Sequence, residues 1–247
     1  MEIIEALTRW THVIAGITWI GLLYFFNWVN SAFAPTMDGE TKKKVVPELM
    51  PRTLYWFRWG AAWTWVTGFL LLLLVFYHTG NVFQPNAGWG FMALFAVVIT
   101  LFGVVFYDLI CGIVKDNRMM AAIGLALTAL AVYFFYKAGF GYRGYVIHVG
   151  AMYGTAMAFN VWMRIWPAQR RIITATRDGE APNPADPALA GARSKHNTYM
   201  SVPLVWTMLN QHTTFASSSP AYLLLAVALG WGVVYLLYNK ATQVKGF

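Results

Sequence analysis

Apolar residues run along this chain in blocks of about 20, separated by short polar stretches, rather than in the three-to-four-residue rhythm of helices with one wet face. The blocks predict seven helices at roughly 8–32, 57–79, 89–114, 119–137, 144–166, 197–214 and 220–239. No charged residue occurs between Arg58 and Asp108, enough chain for two spans and a turn. The sixth block is the most polar, with Pro203 inside it and Asn210-Gln211-His212 at its end, so a kinked helix is expected there. The expected fold is all-α, a polytopic transmembrane bundle forming one integral membrane domain over residues 1–247.

Composition agrees. The chain is 58% hydrophobic and 11% charged, against roughly a quarter charged in a soluble domain. Of its 18 Lys and Arg, only Arg9, Lys137 and Arg143 fall on one side of the seven spans, so the remaining 15 lie on the other. Lys and Arg accumulate in retained loops, which predicts the N-terminus outside, the C-terminus in the cytoplasm and a multi-pass protein of the bacterial inner membrane. The net charge of +8 therefore reflects topology, and no nucleic-acid partner is expected. Lys42-Lys43-Lys44 reads as a topology determinant in contact with lipid headgroups. Glu2 and Glu5 occupy the place of a basic signal-peptide region, so the first block is kept as a span. Cys111 is the only cysteine, which removes disulfides, thiolate clusters and covalent c-type haem from these residues.

Histidines carry the candidate chemistry, because an ionisable group at membrane depth is costly unless it is used. In the predicted topology His12, His148 and His212 lie toward the outer side, His78 ends the second span and His196 lies near the cytoplasmic face. His196 and His212 are 16 residues apart, about 24 Å and 160° around a straight helix, so they cannot share a cofactor. The outer group suits a non-covalent haem b, with His12 and His148 as the axial pair and His212 in reserve. Gly16 and Trp19 follow His12 on the same helix face, as room for a macrocycle and packing for its edge. The plain alternative for each histidine alone is a hydrogen-bonded tie between helices, and for His78 an interfacial position. Asp108 reads most simply as a partner for Arg58 or Lys115. Gly150, Gly154 and Ala158 form a small-residue strip suited to close helix contact, and Gly230 and Gly232 offer another.

Several stretches together resemble the membrane domain of the bacterial membrane-bound urate hydroxylase (cytochrome c-type urate oxidase) family. They are Arg9-Trp10-Thr11-His12 through Gly21, Trp56-Phe57-Arg58-Trp59, Val105 through Leu109, Ile147-His148-Val149-Gly150 through Asn160, Pro167 through Arg171, Ser194-Lys195-His196-Asn197-Thr198-Tyr199, and Asn210-Gln211-His212. The first of them alone also resembles haem-binding spans of copper-resistance D proteins and of a protoporphyrinogen oxidase. The resemblance places His12, His148, His196 and His212 on family motif positions and implies redox chemistry on urate or a related purine. It also implies a C-terminal cytochrome c domain as electron acceptor, whereas these 247 residues contain no Cys-x-x-Cys-His. A separate cytochrome or adjoining redox subunit, in a stable assembly, is therefore the expected partner. The alternative is a non-catalytic haem-binding or scaffold subunit of a respiratory or photosynthetic complex.

Overall fold

The computed structural model describes residues 1–213 and 215–244. Lys245, counted above among the cytoplasmic cations, lies outside the described residues. The architecture is all-helical. Helix α1 spans Glu2–Tyr24 and runs on through a π turn, Phe25–Asn30, to Thr36; α2 spans Gly39–Leu71 and ends in a second π turn, Leu72–Tyr77. Then come α3 (Phe91–Ile113), α4 (Asn117–Lys137), α5 (Tyr142–Phe159) with a third π turn at Asn160–Ile165, α6 (Trp166–Asp178), α7 (Ala185–Leu209) and α8 (Ala221–Ala241).

Among the described residues, five helices are long and apolar enough to cross a membrane: Glu2–Thr36, Gly39–Tyr77, Phe91–Ile113, Asn117–Lys137 and Ala221–Ala241. They correspond to five of the seven apolar blocks. The other two blocks also form helices, α5 and α7, but these contain more polar groups and are more completely enclosed by protein. Every residue from Gly144 to Gly150 is buried, as are Arg193, Asn197, Thr198 and Ser201. A helix surrounded by protein need not be apolar, because neighbouring side chains satisfy its polar groups.

Two helices start well before their apolar blocks. Asp38 caps α2, its carboxylate accepting from the Thr41 backbone N–H at 2.9 Å and the Thr41 hydroxyl at 2.8 Å, which holds its carboxyl below the usual range. From that cap α2 continues through Pro47 and Pro51. At the other start, Asp186 in the first turn of α7 is forked by Arg171 of α6, with Nε 3.0 Å from both carboxylate oxygens and Nη2 2.5 Å from Oδ1. That fork closes the proline-rich link between α6 and α7.

Contacts divide the chain into two compact units. The first comprises residues 1–5, 68–156 and 200–232; the second comprises 6–67, 157–199 and 233–247.

In the first unit, the link after the second π turn is fastened to the link before α5. Gln84 N–H donates to Gly139 O at 2.9 Å, Gly141 N–H donates to Val82 O at 2.9 Å, and Phe83 bridges Phe140. A Cβ on Gly144 would lie 2.1 Å from Val82 O, so only glycine admits this approach. The small residues of α5 meet α7: a Cβ on Gly150 would lie 2.2 Å from Thr207 Oγ1, and one on Gly154 would lie 3.5 Å from Leu204 Cδ1. Gly230 of α8 is likewise covered by Pro203, 3.0 Å from its would-be Cβ, whereas Gly232 meets nothing within 4 Å. Most of the small-residue surface is thus used inside the chain.

In the second unit, α1 and α2 pack antiparallel. Gly60 sits against Trp19, a Cβ there lying 3.2 Å from Trp19 N, and Gly16 faces Thr64 at 3.9 Å. Arg58 stacks on Trp166 at 4.0 Å and its carbonyl accepts from Trp162 Nε1, while Lys115, in the first unit, donates to Cys111 O.

Candidate functional site

His148 is fully buried on α5 in the first unit. Its Nδ1 lies 2.7 Å from Gly144 O, one turn back. A carbonyl only accepts, so Nδ1 carries the proton and Nε2 presents a lone pair. That lone pair accepts from the Tyr77 hydroxyl at 2.8 Å. Tyr77 is the last residue of the second π turn, where the widened turn brings it to the histidine. Phe140 and Phe135 surround the imidazole, with ring centroids at 4.5 Å and 5.6 Å. Both nitrogens are therefore satisfied within an apolar box, the condition under which a polar side chain can be enclosed this deeply.

His212 also belongs to the first unit, in the exposed turn that follows α7 and not on the helix itself, which stops at Leu209. Tyr142 donates to Asn210 O at 2.6 Å and fastens that turn to the start of α5. His78, next after the second π turn, is exposed, in keeping with an interfacial position.

His12 lies half-buried on α1 in the second unit. Its Nδ1 is 3.1 Å from Thr67 Oγ1 on α2. The Thr67 hydroxyl already donates to Trp63 O at 2.6 Å, so at this contact Thr67 accepts and Nδ1 again carries the proton. The ring also makes a hydrogen bond to the backbone of Thr64, one turn back along α2. A ring oriented by a hydrogen bond through Nδ1–H is the form in which histidine presents Nε2 to a metal. On the same face, two turns along, Trp19 is buried and its indole N–H lacks a partner. Gly16 and Trp19 thus serve the α1–α2 contact, with one unused donor left on Trp19.

The second unit also holds a buried polar network that the histidine-centred reading passed over. Asn160, fully buried in the third π turn, donates through Nδ2 to Asn197 Oδ1 at 2.8 Å. Asn197 Nδ2 donates to Met157 O at 3.0 Å, and Arg193 Nη1 donates to Asn160 Oδ1 at 3.3 Å. Asn27, in the first π turn, donates to Leu23 O at 2.9 Å and to Ser194 Oγ at 2.8 Å, and accepts from the Tyr238 hydroxyl at 2.8 Å. All three π turns therefore deliver one polar side chain, Asn27, Tyr77 or Asn160, to a buried hydrogen bond. His196 is half-buried on α7 beside these residues in sequence. A lone asparagine in an apolar run costs as much to bury as a lone histidine, and that signal marks Asn27 and Asn160 in the sequence. Among the described residues no group of three or more His, Cys, Asp or Glu could hold a metal ion.

A family model described as urate oxidase N-terminal matches residues 1–245. The chain belongs to this family. The match covers every helix and each histidine described above, and it agrees with the resemblance to the urate hydroxylase membrane domain. No curated protein and no solved structure matches the chain.

Proposed function

We propose that this member of the urate oxidase N-terminal family is a membrane redox domain that binds one-electron chemistry in the form of non-covalent haem b, with His12 as an axial ligand. The observation that carries the reading is the setting of His12: on a helix long and apolar enough to cross a membrane, its ring is held by Thr67 through Nδ1 and by the Thr64 backbone. The unpartnered indole N–H of Trp19, about 10 Å further along α1, is a donor suited to a haem carboxylate. The fit is uneven across the predicted pair. His148 has the same tautomer, but its Nε2 is committed to Tyr77, so it can take an axial position only by giving up that hydroxyl.

When bound, haem b supplies reversible one-electron transfer at membrane depth. The chain's own residues do the rest. Thr67 holds the His12 ring in one orientation, and the Thr67–Trp63 bond holds Thr67. The apolar neighbours of α1 keep water from the imidazole and so strengthen its interaction with a charged centre.

By family, urate is the substrate we assign, and electrons pass to a separate cytochrome or adjoining subunit. The remaining elements of the reading are seven spans, an outer N-terminus and a cytoplasmic link between α6 and α7 in a bacterial inner membrane, all supported by the distribution of Lys and Arg. Pyridine haemochrome analysis of the purified chain should give a b-type spectrum, and anaerobic urate should reduce it. Absence of haem would reject the cofactor; haem that urate leaves oxidised would favour a haem-binding subunit without urate chemistry. For topology, Asn183→Cys in a Cys111→Ser background should resist an impermeant thiol reagent on intact spheroplasts, and labelling would reverse the orientation.

A further inference from the structure

On the second unit, α1 and α2 leave a groove between them that the histidines described above do not line. It is a cavity of about 480 Å³ lined by Ile17, Thr18, Gly21 and Leu22 of α1 and by Arg52, Thr53 and Trp56 of α2. Its volume is in the range of small-molecule sites. A Cβ on Gly21 would meet nothing within 4 Å, so the floor of the groove is open. Its apolar walls are accessible: Ile17 is 68% and Trp56 62% exposed.

The polar groups are unequally distributed. The Thr18 hydroxyl donates to Ile14 O at 3.0 Å and the Thr53 hydroxyl to Leu49 O at 2.9 Å, so neither proton is available to a ligand. Donors at the groove therefore come from Arg52. Its Nη1 is held by the Glu48 side chain at 2.6 Å and by the Glu48 carbonyl, which anchors the guanidinium at this end and leaves Nε and Nη2 as the donors for a ligand. Lys42, Lys43 and Lys44 lie about 12–15 Å further back along the same helix and do not line the groove, so Arg52 is its cation.

We propose that this groove is a binding site for an anionic glycerophospholipid, its phosphate on Arg52 and an acyl chain along Ile17, Gly21, Leu22 and Trp56. Guanidinium presents paired N–H donors in the geometry that phosphate oxygens accept, and phosphate keeps its charge at every physiological pH. An isoprenoid quinone is neutral and would gain nothing from the charge of Arg52, and both hydroxyls at the groove are spent on their own helices. A free phosphate ion would leave the apolar walls uncovered. The lipid satisfies both halves of the groove at once, and it fits a chain whose helices are long and apolar enough to lie in a bilayer.

The test is lipid retention by the full chain reconstituted in nanodiscs of equal phosphatidylglycerol and phosphatidylcholine, re-extracted in mild detergent and analysed by native mass spectrometry. The wild type should retain a single phosphatidylglycerol in preference to phosphatidylcholine. Arg52→Gln should lower that retention about five-fold, the effect of one cation at an anionic lipid surface. Gly21→Leu, which fills the floor while leaving Arg52 intact, should lower it as well, and inorganic phosphate in excess should not displace the lipid. Both positions face outward, and unchanged helical circular dichroism would show that the variants fold. Equal retention of the two lipids would overturn the proposal, as would retention unaffected by Arg52→Gln and Gly21→Leu. So would an equal loss on replacing Lys42, Lys43 and Lys44 by Gln, or the recovery of a quinone in place of phospholipid.

Discussion

Replacing Gly150 by alanine tests how tightly α5 and α7 are fitted in the first unit. The added methyl would lie 2.2 Å from Thr207 Oγ1, 3.0 Å from Met208 Cε and 3.2 Å from Thr207 Cβ. Thr207 is fully buried, and its hydroxyl donates to Leu204 O at 2.7 Å, so it cannot rotate away without breaking that bond. Overpacking of a buried contact costs about 1–3 kcal/mol. Loss of a buried hydrogen bond adds about 1 kcal/mol. Together they give a destabilisation of about 2–4 kcal/mol, equivalent to a fall in Tm of roughly 5–15 °C for a chain of this size. Gly154→Ala is the control: its methyl would meet Leu204 Cδ1 at 3.5 Å, an ordinary contact, and its Tm should stay close to wild type. Thr207→Ala should restore much of the loss when combined with Gly150→Ala. The assay follows from the sequence, because Cys111 is the single cysteine and is buried, so a thiol-reactive dye reports unfolding in detergent. A Gly150→Ala protein that melts within 2 °C of wild type, or a Gly154→Ala protein that melts as early, would refute the close fit of α5 on α7.

Three further outcomes follow from the buried hydrogen bonds. Tyr77→Phe leaves the His148 Nε2 lone pair enclosed without a donor and should cost about 1–3 kcal/mol, whereas the same change in a His148→Leu background should cost little; additive losses in that double-mutant cycle would dissolve the pair. Asn160→Leu strips a partner from both Asn197 and Arg193 and should lower Tm more than Asn183→Leu, which lies in an exposed link; equal effects would show that the network contributes nothing. The Arg171 fork holds the Asp186 carboxyl below its ordinary range, so its contribution is complete above about pH 4 and is lost as pH falls through the depressed value. Proteolysis of the 178–186 link should therefore accelerate only below about pH 4 in the wild type and be fast at neutral pH in Asp186→Asn; a link equally resistant in both proteins would rule out the fork as its fastening.

Different features of the fold are legible in the sequence to different depths. Apolar blocks mark where a helix can lie in lipid, and five of them coincide with the long apolar helices. They do not mark where a helix begins: α2 starts at Gly39, behind the Asp38 cap and through two prolines, because hydrogen bonding at the terminus and not hydropathy sets that boundary. The same holds for α7, which begins at Ala185 and stops at Leu209, leaving His212 in a turn. The π turns leave no compositional trace, since one extra residue in a turn alters geometry and not residue type. Gly150 and Gly154 are legible as a close-packing face, but their partner is the chain's own α7, which periodicity cannot name. His12 and His148 stand out as costly residues in apolar runs. Their partners, Thr67 at 55 residues and Tyr77 at 71 residues of separation, arise only when helices pack.

The assignment of His12 is tested most directly by the reduced-minus-oxidised spectrum of the purified protein beside those of its His12→Ala and His148→Ala variants, normalised to folded protein. Because Tyr77 occupies the His148 Nε2, b-type haem is expected to be present in the wild type, lost from His12→Ala and retained by His148→Ala. Full haem with an unchanged spectrum in His12→Ala, or no haem in the wild type, would contradict the account.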